Sequence, residues 1–112
     1  MCELGQVGGK KLSFVKRALW QVESELAEDL REALIDFSKL VAGSAPQRLL
    51  VGPRVSDSKL GEWLDCLSAP ARECSAATYA AFIPHPREWS PGSGLEVDLY
   101  RFGGDEWHHV GR

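Results

Sequence analysis

Nine apolar residues between positions 12 and 41 recur at spacings of three and four: Leu12, Val15, Leu19, Val22, Leu26, Leu30, Ala33, Phe37 and Val41. Wound at about 100° per residue, they fall within one stripe roughly 100° wide. The spacing predicts an amphipathic helix of about eight turns from near Ser13 to Ala42. Ser13 stands where an N-cap is needed, and Gly43 with Pro46 stands where the helix must stop. Such a helix is about 45 Å long, more than a small sheet covers. One end is therefore expected to project or to meet another chain.

The rest of the chain alternates shorter signals. Leu49-Leu50-Val51 is a continuous apolar run of the kind that suits a strand covered on both faces, and Gly52-Pro53 interrupts it. Leu60, Trp63, Leu64 and Leu67 follow at helical spacing, which predicts a short helix over 58–67 limited by Pro70. Thr78 to Ile83 reads as a strand. A Pro- and Gly-rich loop follows, and then Leu95, Val97 and Leu99 alternate with Glu96, Asp98 and Tyr100 as a half-buried strand. Gly103-Gly104 is a hairpin turn signal before a last strand over 106–110. The expected fold is α+β in the order α-β-α-β-β-β. The long N-terminal helix and a shorter second helix pack on one face of a mixed, mostly antiparallel four-stranded sheet. With 112 residues the chain makes a single domain over 1–112, and residues 1–11 read as a flexible N-terminal segment.

Composition narrows the class of function. Hydrophobic residues make up 44% and charged residues 26%, which excludes a disordered chain. A net charge of −3 argues against nucleic acid as a partner, and no apolar run is long enough to span a membrane. The first residues contain no apolar signal segment, so a reducing cytoplasm is the expected compartment. Cys2, Cys66 and Cys74 are odd in number and lack metal-ligand spacing, so Cys66 and Cys74 read as reduced thiols rather than a bridge.

No nucleophile elbow, metalloprotease helix or dinucleotide fingerprint occurs, and Gly8-Gly9-Lys10-Lys11 lacks the strand a phosphate loop needs. His108 and His109 are adjacent on an expected strand and so point to opposite faces, which prevents them from sharing a metal. No metal, cofactor or catalytic residue is implied. Glu96 and Asp98 share one strand face, where solvation is their ordinary role. The most suggestive stretch is Ile83-Pro84-His85-Pro86-Arg87-Glu88-Trp89, in which two prolines stiffen a loop bearing an imidazole, a guanidinium and an indole. His85, Arg87 and Trp89 are therefore the expected ligand or partner contacts. Trp89 serves either as a stacking surface or as a lid folded back on the core.

Two further features concern partners. Glu25, Asp29, Glu32 and Asp36 repeat at four, three and four, either as a solvated flank or as an acidic docking ridge for a basic protein. Trp20, Ala27 and Leu34 recur every seven residues beside the main stripe, a second ridge that points to a homodimer through the long helix. The functional expectation is a small binding or interaction protein without evident catalysis, neutralising or regulating a protein partner. The rival expectation is a small-molecule-binding protein or minor enzyme with a site near His85, Trp89 and His108.

Overall fold

The structure, a computed structural model, describes residues 2–7, 12–92 and 96–111. Strands β1 (Cys2–Val7) and β2 (Leu12–Ala18) pair antiparallel as a separate two-stranded sheet. A bend at Leu19 then leads into β3 (Trp20–Ser24), α1 (Leu30–Ala42), β4 (Gln47–Pro53), α2 (Asp57–Glu73) and β5 (Ala77–Ile83). The hairpin β6 (Asp98–Gly103) and β7 (Glu106–Gly111) follows. The main sheet has five strands in the sequential order β3-β4-β5-β6-β7. The first two pairings are parallel and the last two antiparallel.

The fold is thus α+β with two helices on a mixed sheet, but the long N-terminal helix does not form. Its first half is β2 and β3, and only Leu30–Ala42 is helical. The stripe of threes and fours over 12–26 coincides with a second pattern. Phe14, Val15, Trp20 and Val22 are aromatic or β-branched, and such side chains lose rotamer freedom in a helix but pack well on a pleated surface. Ser13 therefore sits inside a strand rather than at a cap. Residues 2–7, expected within a flexible segment, have strand geometry instead.

The true cap of α1 is Asp29. Its carboxylate accepts from the Arg31 and Glu32 amides at 3.0 and 3.4 Å, where the helix carries its positive end. The other end of α1 is held by Arg48 of β4, which is 6% exposed and forms no ion pair among the described residues. Its guanidinium donates to the Gly43 carbonyl at 2.8 Å, the Ala45 carbonyl at 3.0 Å and the Val41 carbonyl at 3.4 Å. A buried cation is thereby satisfied by the negative end of a helix. A side chain at Gly43 would collide with the amide of Gln21, whose Oε1 accepts the Ala45 amide at 2.9 Å.

α2 begins close to the expected position but runs through Pro70 to Glu73. The missing N–H falls in the last turns, and burial of Leu67 and Ala71 holds that end against the sheet. The two successive parallel crossovers place α1 and α2 together on one face. There Phe37, Leu40, Leu50, Leu67 and Phe82 are fully buried. Trp63 meets Phe82 edge-on at 6.5 Å, and Trp107 of β7 meets Phe37 at 6.4 Å. The Trp107 indole N–H also donates to the Leu64 carbonyl at 2.9 Å, tying the last strand to α2.

The β6–β7 turn lies one residue later than the glycine pair suggests. Its two central residues are Gly104 and Asp105, with φ of 60° and 67°. Paired positive φ is the geometry whose twist matches a two-residue hairpin. The strand expected to start at Leu95 begins at Asp98, and Leu95 itself lies outside the described residues, as do Gly8, Gly9, Lys10 and Lys11.

Candidate functional site

Three parallel strands, β3, β4 and β5, end at the same edge of the sheet, and the chain leaves each of them through a loop. A cavity of about 380 Å³ lies among those loops. The β3–α1 loop contributes Leu26, Ala27 and Glu28, and the end of β4 contributes Pro53 and Arg54. The loop after β5 contributes His85, Arg87 and Glu88. The crevice outside the carboxyl ends of parallel strands is where open α/β sheets place ligands, because loops converge there above a rigid scaffold.

The polar groups of this cavity are held in different ways. Arg54 Nη1 lies 3.3 Å from Glu96 Oε2, and Nη2 donates to the Glu96 carbonyl at 3.1 Å and lies 3.7 Å from Asp98 Oδ2. Its Nε is buried and meets no acceptor among the described residues. His85 precedes a single 3-10 turn, Pro86–Glu88, and its Nδ1 accepts the Arg87 amide at 3.2 Å. In the neutral ring that bond leaves the proton on Nε2. Arg87, Glu28 and Glu88 are exposed side chains at the rim.

Of the residues expected to form a site, His85 and Arg87 line the cavity and Trp89 does not. The Trp89 indole folds back on its own loop, its N–H donating to the Pro84 carbonyl at 2.9 Å, with 47% of the residue still exposed. His108 belongs to a different region. It pairs with Arg101, which pairs with Tyr79 near the start of β5, ~13 Å along the strand from Ile83. Its Nε2 lies 2.8 Å from the Gly103 carbonyl. His109 points to the opposite face, against Tyr100 and 3.7 Å from Asp98 Oδ1. Glu96, which is exposed, and Asp98, which is half-buried, are both partners of Arg54. Arg54 and Glu28 were not legible as site residues, although Gly52-Pro53 marked the strand end that positions Arg54.

The proposed ridges also change. Trp20 lies on β3, Ala27 in the following loop and Leu34 on α1, where it packs against the core. These three make no common ridge, because the helix that would align them does not exist. Of the acidic series, Glu32 and Asp36 lie on α1, Asp29 caps it, and Glu25 stands in the loop, where its Oε1 accepts the Ala27 amide at 3.0 Å. Asp36 is paired with Lys39 at 3.0 Å, which holds that ammonium above its ordinary pKa.

The sheet has a second surface that the sequence did not announce. Leu50, Ala80, Phe82, Tyr100 and Phe102 face the helices. Alternation turns Leu49, Val51, Tyr79, Ala81, Leu99 and Arg101 to the other face. Register places Val22, Leu49, Tyr79 and Arg101 in one row, and Ser24, Val51, Ala81 and Leu99 in the next. Val22 is 55% exposed, and Leu49, Val51, Tyr79 and Leu99 are half-buried. Trp20 packs against Tyr79 at 5.7 Å, and the Arg101 guanidinium lies 5.9 Å from the centre of the Tyr79 ring.

Among the described residues no group of three or more His, Cys, Asp or Glu side chains is placed to hold a metal ion, and Cys66 and Cys74 are both free thiols. Among the described residues no helix is long and apolar enough to cross a membrane. The chain matches no protein-family model, no curated protein and no solved structure.

Proposed function

We propose that this chain is a small interaction protein that works by binding, and that its contact surface is the helix-free face of the five-stranded sheet. One observation carries the reading: a contiguous apolar surface of Trp20, Val22, Leu49, Val51, Tyr79 and Leu99, left without a helix over it. Apolar side chains in adjacent rows are more than scattered surface hydrophobics, and a patch of this kind marks a place where free energy is gained on association. A parallel sheet ordinarily has both faces covered, and this one has a single layer of helices.

The occupant is a second copy of the chain. The open-face positions of β3, β4 and β5 are Trp20, Val22, Ser24, Gln47, Leu49, Val51, Pro53, Ala77, Tyr79, Ala81 and Ile83, and none carries a charge. These three strands therefore meet a copy of themselves without like-charge conflict, the charge of Arg101 being confined to β6 beside them, and a two-fold pairing closes the assembly. This replaces the helix ridge of Trp20, Ala27 and Leu34 with a sheet-on-sheet contact in which only Trp20 is retained. Sedimentation at micromolar concentration tests the reading: the expected mass is twice 12.4 kDa, falling to the single-chain value in a Val22→Glu, Leu49→Glu variant. A wild-type mass of 12.4 kDa, or a dimer that survives both substitutions, contradicts it.

A further inference from the structure

β1 and β2 form a sheet of their own, and among the described residues they make no extensive contact with the helices or with the main sheet. A lone two-stranded sheet is marginal in water and needs a further layer. The molecule is also more extended than its length requires. Its radius of gyration is 16.2 Å, against about 13 Å for a compact chain of this size, and its longest dimension is 57 Å. The two strands are thus an arm that stands off the body. The connection keeps the arm from lying back as an aligned layer over its own open face. Only Leu19 separates β2 from β3, so two steps of at most about 3.6 Å each would have to span the roughly 10 Å between packed sheets.

The distribution of charge on the open face selects how two copies meet. The uncharged strands β3, β4 and β5 are centred on β4, and Arg101 lies beyond them on β6. A two-fold axis across the strands would stack β6 on β6 and bring Arg101 toward its own copy, a like-charge conflict. An axis along β4 avoids it, setting β3 of one copy over β5 of the other. That pairing leaves β6 and β7 of each copy uncovered, where Leu99 is half-buried and Val110 is 56% exposed. It also sets β3, from which the arm departs at the bend, one strand away from that surface. Resting on the open-face dimer, we propose that the β1–β2 arm of each copy lies over the β6–β7 hairpin of the other, two strands over two strands. The arm's sequence includes Leu4, Val7, Leu12, Phe14 and Val15, which suits it to an apolar contact. Residues 1–19 hold Lys10, Lys11, Lys16 and Arg17 against Glu3, a net +3, so within the total of −3 the remainder carries −6. An arm laid on a second copy therefore meets a body of opposite charge.

The test uses the full chain. A nitroxide is attached at Ser13→Cys, with Cys2→Ala, Cys66→Ala and Cys74→Ala, and that chain is mixed with ¹⁵N-labelled parent, so that line broadening reports only contacts between copies. Sedimentation of the mixture comes first: a mass of 12.4 kDa overturns the open-face dimer and the arm contact with it. With a dimer present, the expected result is broadening of amides over 98–111 in the ¹⁵N-labelled copy, with α1 unaffected. Broadening confined to other elements, or none, overturns the arm contact and leaves the open-face dimer standing. Leu12→Glu with Phe14→Glu should weaken self-association about tenfold and leave the melting curve of the dissociated chain as in the parent. Unchanged association in that variant also overturns the arm contact.

Discussion

The two faces of the five-stranded sheet are made of the same kind of residue and have different fates. On one face Leu50, Ala80 and Phe82 lie against Phe37, Leu40, Trp63 and Leu67, each no more than 4% exposed. On the other, Leu49, Tyr79 and Val51 occupy neighbouring positions of the same strands and remain partly in water, while Val22 is 55% exposed. The first set has already given up its hydration to the fold. The second keeps part of its apolar surface in water, which is the basis of the proposed association. Under that proposal, strand parity separates stability from binding, with adjacent residues of one strand serving different ends.

That separation makes paired substitutions informative. Phe82→Ala should cost about 3–5 kcal/mol of stability, the range for truncating a fully buried aromatic. Tyr79→Ala, three residues earlier on the open face, should cost well under half of that, which comparison of the two in urea denaturation measures. Next comes Arg48→Met, which keeps the apolar stem but leaves the Gly43, Ala45 and Val41 carbonyls without their donor. It should cost about 2–3 kcal/mol in the same assay, more than any single apolar change on the open face. Gly104→Val should lower stability by about 1–2 kcal/mol in thermal melts, because a β-branched residue resists the φ of 60° the turn demands. Gly103→Val should cost less, since the positive φ lies at Gly104 and Asp105. Asp29→Ala should remove about 1 kcal/mol through the lost cap, seen as a lower helical signal at intermediate denaturant.

The same contrast explains what could be read from residues alone. β4, the start of α2, β5 and the final hairpin were legible because each carries a local signal: Gly52-Pro53, the helical spacing from Leu60, Pro84 and the glycines at 103 and 104. Residues 2–29 were not, although the helix expected to end at Ala42 does end there. In β3 the residues turned toward the helix layer are Gln21 and Glu23, and those turned away are Trp20 and Val22. A strand whose apolar side faces away from the helix layer offers no sign of which layer it joins. Gln21 spends its amide on Ala45, a long-range partner that no local pattern reveals. With Leu12, Val15, Leu19, Val22 and Leu26 then spaced by chance at helical intervals, periodicity extended α1 backwards through two strands. The cavity was half legible for a related reason. His85 and Arg87 share one Pro-stiffened loop, whereas Glu28 and Arg54 reach it only because parallel strands end at one edge, a fact that needs the strand order.

The central claim is that the open sheet face, not the helix layer, is the binding surface. Dilution of ¹⁵N-labelled protein through its association range, with amide shifts recorded at each step, tests it most directly. The account predicts that shifts concentrate in β3 and at Leu49, Val51, Tyr79, Ala81, Leu99 and Arg101, while α1 and α2 stay unchanged. Shifts concentrated on α1 or α2, or none across a concentration range in which the sedimenting mass changes, would contradict it.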